Sequence, residues 1–137
     1  MSAAGFRWPI RVYYEDTDSA GIVYHANFLK FMERARTEWL RAIGYDQQRL
    51  SREQRIIFVI TRCKVDFLKP ARFNDQLTVT ARVTRCGRAS MELEQIIFKH
   101  SDELICRGLV KVGCIDTASM KPRAMPEDMF TEIRNAS

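Results

Sequence analysis

The chain has 137 residues, of which 46% are hydrophobic and 28% are charged. This composition is ordinary for a folded protein and excludes a disordered chain or a small disulfide scaffold. The net charge of +5 favours an anionic ligand in general, but no run of basic residues indicates a nucleic-acid-binding tail. The length predicts one domain, residues 1–137, with a substantial core.

The sequence favours a cytoplasmic protein without a membrane span. Its longest apolar run, residues 56–60, is far shorter than a spanning helix, and the first residues lack the apolar stretch of a secretory signal. The cysteines form no CxxC pair, so we expect reduced and mostly buried thiols. No closely spaced Cys/His cluster predicts a metal site. The four cysteines are Cys63, Cys86, Cys106 and Cys114.

A strand and a long helix are predicted first. Residues 9–15 alternate between apolar and polar side chains, and the polar, glycine-containing segment 16–21 ends that strand. Asn27 is the predicted N-cap of a helix over residues 28–43, in which apolar residues recur with helical spacing. Gly44 then ends the helix. The apolar stripe is broad enough to be enclosed by a sheet.

Four more strands follow the helix. Residues 59–67, 77–84, 91–98 and 106–114 alternate, and Pro70 closes the first of these runs. Short hairpins between strands mean an antiparallel sheet. The sequence therefore predicts an α+β fold, with one antiparallel sheet covering one long helix. A single helix leaves other faces and edges open, which favours dimerisation.

Acidic residues, a glycine and a histidine are concentrated just before the long helix. Asp18 precedes Gly21, and His25 lies near the helix start. The first amides of a helix lack partners and carry partial positive charge. A carboxylate beside them could deliver or activate an oxygen nucleophile while the amides stabilise a carbonyl oxygen. The alternative is that Asp18 only shapes the turn and His25 only braces the helix.

The segment 14–28, YEDTDSAGIVYHANF, resembles the 4-hydroxybenzoyl-CoA thioesterase family of hotdog-fold proteins, most closely its Tol–Pal-associated acyl-CoA thioesterase branch. The segments 33–36 (ERAR), 67–72 (FLKPAR) and 87–90 (GRAS) are also similar to that branch. The resemblance covers about residues 8–116. It implies a hotdog fold, in which a five-stranded antiparallel sheet wraps around one long central helix. It also implies a dimer with a ten-stranded sheet, often paired into a tetramer, with active sites at the subunit interface.

The resemblance implies hydrolysis of acyl-CoA to a free acid and CoA. Asp18 would be the nucleophile or general base, and the backbone N–H of His25 would polarise the carbonyl. Tyr14 and the His25 side chain match positions that orient substrate or water. No metal and no cofactor is expected.

Candidate residues for the substrate's phosphates lie at a hairpin turn. Arginine suits phosphate by charge and by fork geometry. Arg85, Arg88 and Ser90 flank the turn and are the candidates, with a solvated hairpin tip as the alternative. The positive charge suits acyl-CoA or acyl carrier protein equally. A homodimer or homotetramer without nucleic acid is expected, and peripheral association with an envelope complex stays open.

Two other functions remain open. A hotdog dehydratase acting on hydroxyacyl thioesters would pair His25 with Glu33 and leave Asp18 without a role. Glu33 is more simply a structural partner of Thr37 and Arg36 on the helix. A non-catalytic module would bind acyl-CoA or acyl carrier protein without turnover, and the intact Asp18 argues against it. The length and aromatic character of the acyl group are not specified by the sequence.

Overall fold

The computed structural model describes residues 5–100 and 102–136. Within them, five strands form one antiparallel sheet, and the longest helix packs against it. The elements are β1 (Phe6–Arg11), α1 (His25–Ala42), α2 (Gln47–Arg49), β2 (Ile56–Phe67), β3 (Gln76–Cys86), β4 (Ser90–Lys99), β5 (Glu103–Asp116) and α3 (Glu127–Ala136). The strand order is β1-β3-β4-β5-β2. The predicted α+β sheet around one long helix is confirmed.

Helix α1 is held by an apolar stripe that faces the sheet. Phe28, Phe31, Met32, Ala35 and Trp39 recur at helical spacing and are all buried. They meet the inward-facing side chains of the central strands, which alternate with more exposed ones. One half of the core surrounds the start of α1, and the other half surrounds its end together with α3.

Two residues of the sheet determine how closely α1 packs against it. Gly108 lies against Met32, and a Cβ at Gly108 would come within 2.8 Å of Met32 Sδ. Gln95 is fully buried, and its Nε2 donates to the backbone oxygen of Met32 at 2.9 Å. A missing side chain and a buried hydrogen bond therefore fix the middle of the helix on the sheet.

The first strand lies earlier in the chain than predicted. It covers Phe6–Arg11, whereas the alternation of side chains predicts a strand over residues 9–15. The backbone N–H of Tyr13 donates to Asp16 Oδ2 at 2.9 Å, and the chain curls into a 3-10 turn at Tyr14–Asp16. A local side-chain hydrogen bond therefore ends the strand pattern early.

The helix also begins earlier than predicted. Its first residue is His25 and its N-cap is Tyr24, three positions ahead of the predicted start at residue 28. Asn27, the predicted N-cap, lies inside the first turn and is buried. Its Nδ2 donates to Asp16 Oδ1 at 2.9 Å, so the Asn27 side chain bonds a carboxylate instead of capping the helix.

Strands β1 and β2 are the two edges of the sheet. Strand β2 has 12 residues, and its side chains Ile60 and Phe67 are 47% and 48% exposed. A long apolar edge offers unpaired backbone groups to another strand.

The prediction of mostly buried thiols is wrong for Cys63, which is exposed on this edge, although Cys106 and Cys114 are buried. No helix in the described part of the chain is long and apolar enough to cross a membrane.

Candidate active site

Asp18 lies in a tight turn that precedes α1. Its backbone N–H donates to Ile22 O, and the Gly21 N–H donates to Asp18 O, both at 2.9 Å. Gly21 has a φ of +80°, a left-handed conformation that glycine adopts without strain. The Asp18 Oδ1 accepts from the Ala20 N–H at 2.9 Å, and its Oδ2 has no hydrogen-bond partner within the described residues. The turn thus fixes the carboxylate and leaves one exposed oxygen unpaired.

A buried pair anchors this turn to the helix. Asp16 is 4% exposed, and its two carboxylate oxygens accept from the Tyr13 N–H and from Asn27 Nδ2, each at 2.9 Å. Its backbone oxygen accepts from the Tyr24 N–H at 2.9 Å. The anchoring role of Asn27 differs from its predicted role as the N-cap. Asp16 and Asn27 are eleven positions apart, so no local pattern reveals their contact.

The start of α1 presents a free amide beside a cleft. No side chain caps this helix end, and the His25 N–H has no acceptor within residues 5–100 and 102–136. The exposed His25 ring lies 4.6 Å from the ring of Tyr24 and 5.9 Å from that of Phe67, measured between centroids. A cleft of about 340 Å³ opens here, lined by His25, Phe28 and Phe67 among others. Asp18 is not one of its lining residues in this single chain.

Tyr14 lies in the same loop as Asp18 but is turned away from the core. It is 75% exposed, and its ring stacks on Phe73 with centroids 3.8 Å apart. Its backbone oxygen accepts from the N–H and the hydroxyl of Thr17 at 3.0 and 2.8 Å. No hydrogen bond joins the Tyr14 hydroxyl to Asp18 or His25 in the described chain. The loop therefore brings Tyr14 near the turn without placing it on the carboxylate.

The predicted phosphate-binding residues lie at the β3–β4 turn. Arg85 is exposed and only loosely paired, with its Nε 3.9 Å from Glu92 Oε2. Arg88 Nη1 donates to Glu127 Oε2 at 2.8 Å, and its guanidinium lies over the Phe130 ring. Ser90 is half-buried at the start of β4. Arg88 therefore already has partners on α3, whereas Arg85 is the more accessible cation.

A single chain does not bring the Asp18 turn and the Arg85 hairpin together. Leu77, near the start of β3, belongs to the half of the core around the start of α1, whereas Cys86 packs with the other half. At about 3.4 Å per residue, Leu77 and Arg85 are roughly 27 Å apart along the strand. The Arg85 hairpin therefore lies at the opposite end of the sheet from Asp18 and His25.

The helix residue Glu33 does not pair with His25 either. The two residues are eight positions apart, which is about 12 Å along an α-helix. Glu33 Oε2 instead accepts from the Thr37 hydroxyl at 2.6 Å. Its predicted role as a structural partner within the helix is therefore confirmed for Thr37.

Similarity to known proteins identifies the family. The model of the thioesterase-like superfamily matches residues 12–133. The chain belongs to the thioesterase-like superfamily. This thioesterase-like chain is 42% identical over 134 residues to the acyl-CoA thioester hydrolase YbgC of Escherichia coli O6:H1, covering 98% of the chain and 99% of that protein. It is also 42% identical over 125 residues to the acyl-CoA thioesterase YbgC of Haemophilus influenzae, covering 91% of each protein.

Solved structures support the same assignment. The crystal structure of a probable thioesterase from Bartonella henselae matches this thioesterase-like chain with a TM-score of 0.83 at 33% identity. The match covers 88% of this chain and 98% of that one. The resemblance to hotdog-fold thioesterases, first indicated by residues 14–28, is thereby confirmed.

Proposed function

We propose that this protein is a thioesterase that hydrolyses acyl-CoA to a free acid and CoA, with Asp18 as the catalytic carboxylate. The observation that carries the proposal is the turn at Asp18, whose backbone and Oδ1 hydrogen bonds leave Oδ2 unpaired a few residues before the free His25 amide. The relatives with 42% identity are named as acyl-CoA thioesterases, which supports the same substrate class.

The reaction requires a nucleophile and a site for negative charge. The Asp18 carboxylate either attacks the thioester carbonyl carbon or removes a proton from a water molecule that attacks it. The carbonyl oxygen gains negative charge, which the His25 N–H stabilises at the positive end of the helix dipole. The carbon–sulfur bond then breaks, and CoA leaves as a thiolate that takes up a proton. If water is the nucleophile, the free acid forms in this step. If Asp18 attacks directly, an acyl–Asp18 anhydride forms, and water then hydrolyses it to the free acid and the Asp18 carboxylate. No step requires a metal or a cofactor.

The remaining site residues have assisting roles in this proposal. The Tyr14 and His25 side chains orient the substrate or the water from the same loop. Arg85, Arg88 and Ser90 bind the CoA phosphates, with Arg85 the most accessible of the three. The substrate is CoA-bound or bound to acyl carrier protein. Free cysteines, such as Cys63, fit a reducing compartment such as the cytoplasm.

A homodimer supports this arrangement by geometry. Strand β2 is an open edge, and antiparallel pairing of one β2 with a second copy reverses the ends of the partner sheet. The hairpin with Arg85 of the second copy would then lie at the same end as Asp18 of the first. A two-fold dimer therefore brings together the catalytic and phosphate-binding groups that one chain holds apart, and such dimers could pair into a tetramer.

The alternatives have less support from the structure. A dehydratase would need His25 and Glu33 to act as a pair, but α1 holds them about 12 Å apart within one chain, Glu33 is bonded to Thr37, and Asp18 would have no role. A binding module without turnover does not require an unpaired carboxylate in the turn that leads to a free helix amide. The thioesterase accounts for both groups.

Asp18→Asn tests the proposal directly. The amide keeps the size and turn geometry of Asp18 but is neither a nucleophile nor a base, so turnover should fall by about a thousandfold or more. Release of free thiol from acyl-CoA measures the rate, and thermal melting checks folding. Glu15→Gln is the matched control, because Glu15 is an exposed acid in the same loop. A rate near that of the wild type in Asp18→Asn would exclude Asp18 as the catalytic group.

A further inference from the structure

A second cleft lies beside the later half of α1, away from Asp18. It has a volume of about 140 Å³ and is lined by residues of α1, β2, β4 and β5. Its apolar lining includes Trp39 from the helix and Phe58, Leu93 and Val112 from three strands. Such a surface suits the hydrocarbon part of a ligand.

Arg36 is the cation among the polar residues that line one side of this cleft. Arg36 Nη1 donates to Gln95 Oε1 at 2.9 Å, and Gln95 is itself fully buried and bonded to the backbone oxygen of Met32. Burial lowers the pKa of the Arg36 guanidinium, so its charge is partly desolvated. No buried side-chain nitrogen or oxygen in the described chain lacks a partner, so the other Arg36 N–H groups reach accessible space. Gln95 therefore holds a guanidinium at the cleft with donors to spare.

An acceptor is held at the same cleft. Gln47 Nε2 donates to Thr37 Oγ1 at 3.1 Å, and that hydroxyl donates to Glu33 Oε2 at 2.6 Å. Glu33, Thr37 and Arg36 all line the cleft. A ligand hydroxyl can accept from Arg36 and donate to Glu33, whereas a carboxylate would be attracted by Arg36 but repelled by Glu33 and could not donate to it. A purely alkyl end would leave the donors of Arg36 without a partner.

We propose that this cleft binds the end of the acyl group far from the thioester, and that Arg36 selects acyl groups that end in a hydroxyl. This inference rests on the proposed thioesterase function and names a substrate class for it. The specificity-determining contact is the hydrogen bond from the Arg36 guanidinium to the ligand hydroxyl, with Glu33 as the acceptor.

In the proposed dimer, the cleft of one copy receives the acyl group that is bound at the helix start of the other copy. Arg36 is eleven residues after His25 on α1, about 16 Å away along the helix. Phe58 and Ile60 of β2 line the cleft, whereas Phe67, at the other end of β2, lies beside His25. Antiparallel pairing of two β2 edges brings the first end of one copy towards the second end of the other. An acyl group held at one copy's helix start then reaches the other copy's cleft.

The test compares two series of acyl-CoA thioesters. One series has four to ten acyl carbons and a terminal hydroxyl, and the other has plain alkyl chains with equal numbers of non-hydrogen atoms. We expect the wild-type kcat/KM to favour the hydroxyl series by about 10- to 100-fold at its best length, which is what one hydrogen bond to a charged donor typically contributes. The Arg36→Met variant should reduce that preference to less than about threefold.

Two further variants make the comparison sharper. Arg41→Met is the matched control, because Arg41 is an exposed arginine of the same helix that pairs with Glu38 and does not line the cleft. It should keep the wild-type preference. Arg36→Lys keeps the charge but loses the fork of donors, so it should keep only part of the preference. If thermal melting shows that Arg36→Met does not fold, Arg36→Lys tests the role of Arg36 in its place.

Binding without turnover separates this inference from the function itself. CoA thioethers with hydroxyl-ended or alkyl chains cannot be hydrolysed, and calorimetry measures their affinity for the wild type and for Arg36→Met. An Arg36-dependent preference for the hydroxyl thioether, with no hydrolysis of any thioester, would support the cleft and reject the proposed function. Hydrolysis without a hydroxyl preference, or a preference that survives in Arg36→Met, would reject the inference alone. Stronger Arg36-dependent turnover of carboxylate-ended chains would overturn the assignment of a hydroxyl.

Discussion

Asp16 and Asp18 are two positions apart, yet their carboxylates have opposite surroundings. Asp16 is buried, and both of its oxygens accept hydrogen bonds, from Tyr13 and Asn27. Asp18 is exposed, and only one of its oxygens is bonded, to the Ala20 N–H. Asp16 is therefore a structural acid, whereas Asp18 both shapes its turn and keeps an oxygen available. The two readings of Asp18 that the sequence leaves open are compatible with each other.

Asn27→Ala tests the anchoring role at the scale of one residue. Removing the amide leaves Asp16 Oδ1 buried without a donor, which should lower the free energy of unfolding by about 1–3 kcal/mol. Turnover should also fall, because the same bond ties the Asp18 loop to the helix start. Urea denaturation measures the stability. Asn135→Ala, at an exposed position of α3, is the control and should change it by less than about 0.5 kcal/mol.

At the scale of elements, the position of α1 on the sheet determines where its free end lies. Met32, in the middle of the helix, contacts Gly108 on β5 and receives a hydrogen bond from Gln95 on β4. The first turn of the same helix carries His25 and Asn27. A shift of the helix along the sheet would therefore move the His25 amide relative to the Asp18 turn.

Gly108→Ala tests this contact. The added methyl group would lie 2.8 Å from Met32 Sδ in a fully buried environment, so the Met32 side chain must move within a packed core. Overpacking of this kind typically costs about 1–3 kcal/mol, measurable by chemical denaturation. Gly87→Ala is the control, since its Cβ would meet only Ser90 at 3.5 Å. If the loss in Gly108→Ala persists undiminished in a Met32→Ala background, the clash with Met32 is not its cause.

In the whole molecule, strand β2 is an edge of the sheet that has no partner strand on its outer side within the single chain. Its exposed apolar side chains and unpaired backbone groups favour pairing with another strand. The Asp18 loop and the Arg85 hairpin lie at opposite ends of the same sheet, and the proposed dimer would bring them together. Assembly and activity should therefore be lost together.

Ile60→Lys tests this dependence. A lysine at this edge position introduces a charge that pairing would bury, so the protein should become monomeric and lose most of its thioesterase activity. Sedimentation velocity reports the oligomeric state. Met120→Lys is the matched control, because Met120 is 60% exposed in a loop outside the sheet and should leave the assembly unchanged. A wild-type protein that is already a monomer yet fully active would contradict the proposed dimeric site.

The α+β architecture of this protein could be predicted from its amino-acid sequence. Alternating and helical periods predict five strands and one long helix, because each element must bury one apolar face. The motif at residues 14–28 indicates the family, which the comparisons confirm. The periodicity and the motif each lie within a short segment of the chain, so both can be recognised directly in the order of its residues.

The contacts between those elements could not be predicted from the sequence and depend on the folded structure. Asp16 accounts for both differences from the predicted elements. Its local bond from the Tyr13 N–H ends the strand early, and its bond from Asn27, eleven positions away, holds the predicted N-cap residue inside the first turn of the helix. In the folded structure, Arg88 is also bonded to Glu127 on α3, and Arg36 is bonded to Gln95 at a cleft. These partners are 39 and 59 positions apart, and contacts at such separations leave no periodic signal in the sequence.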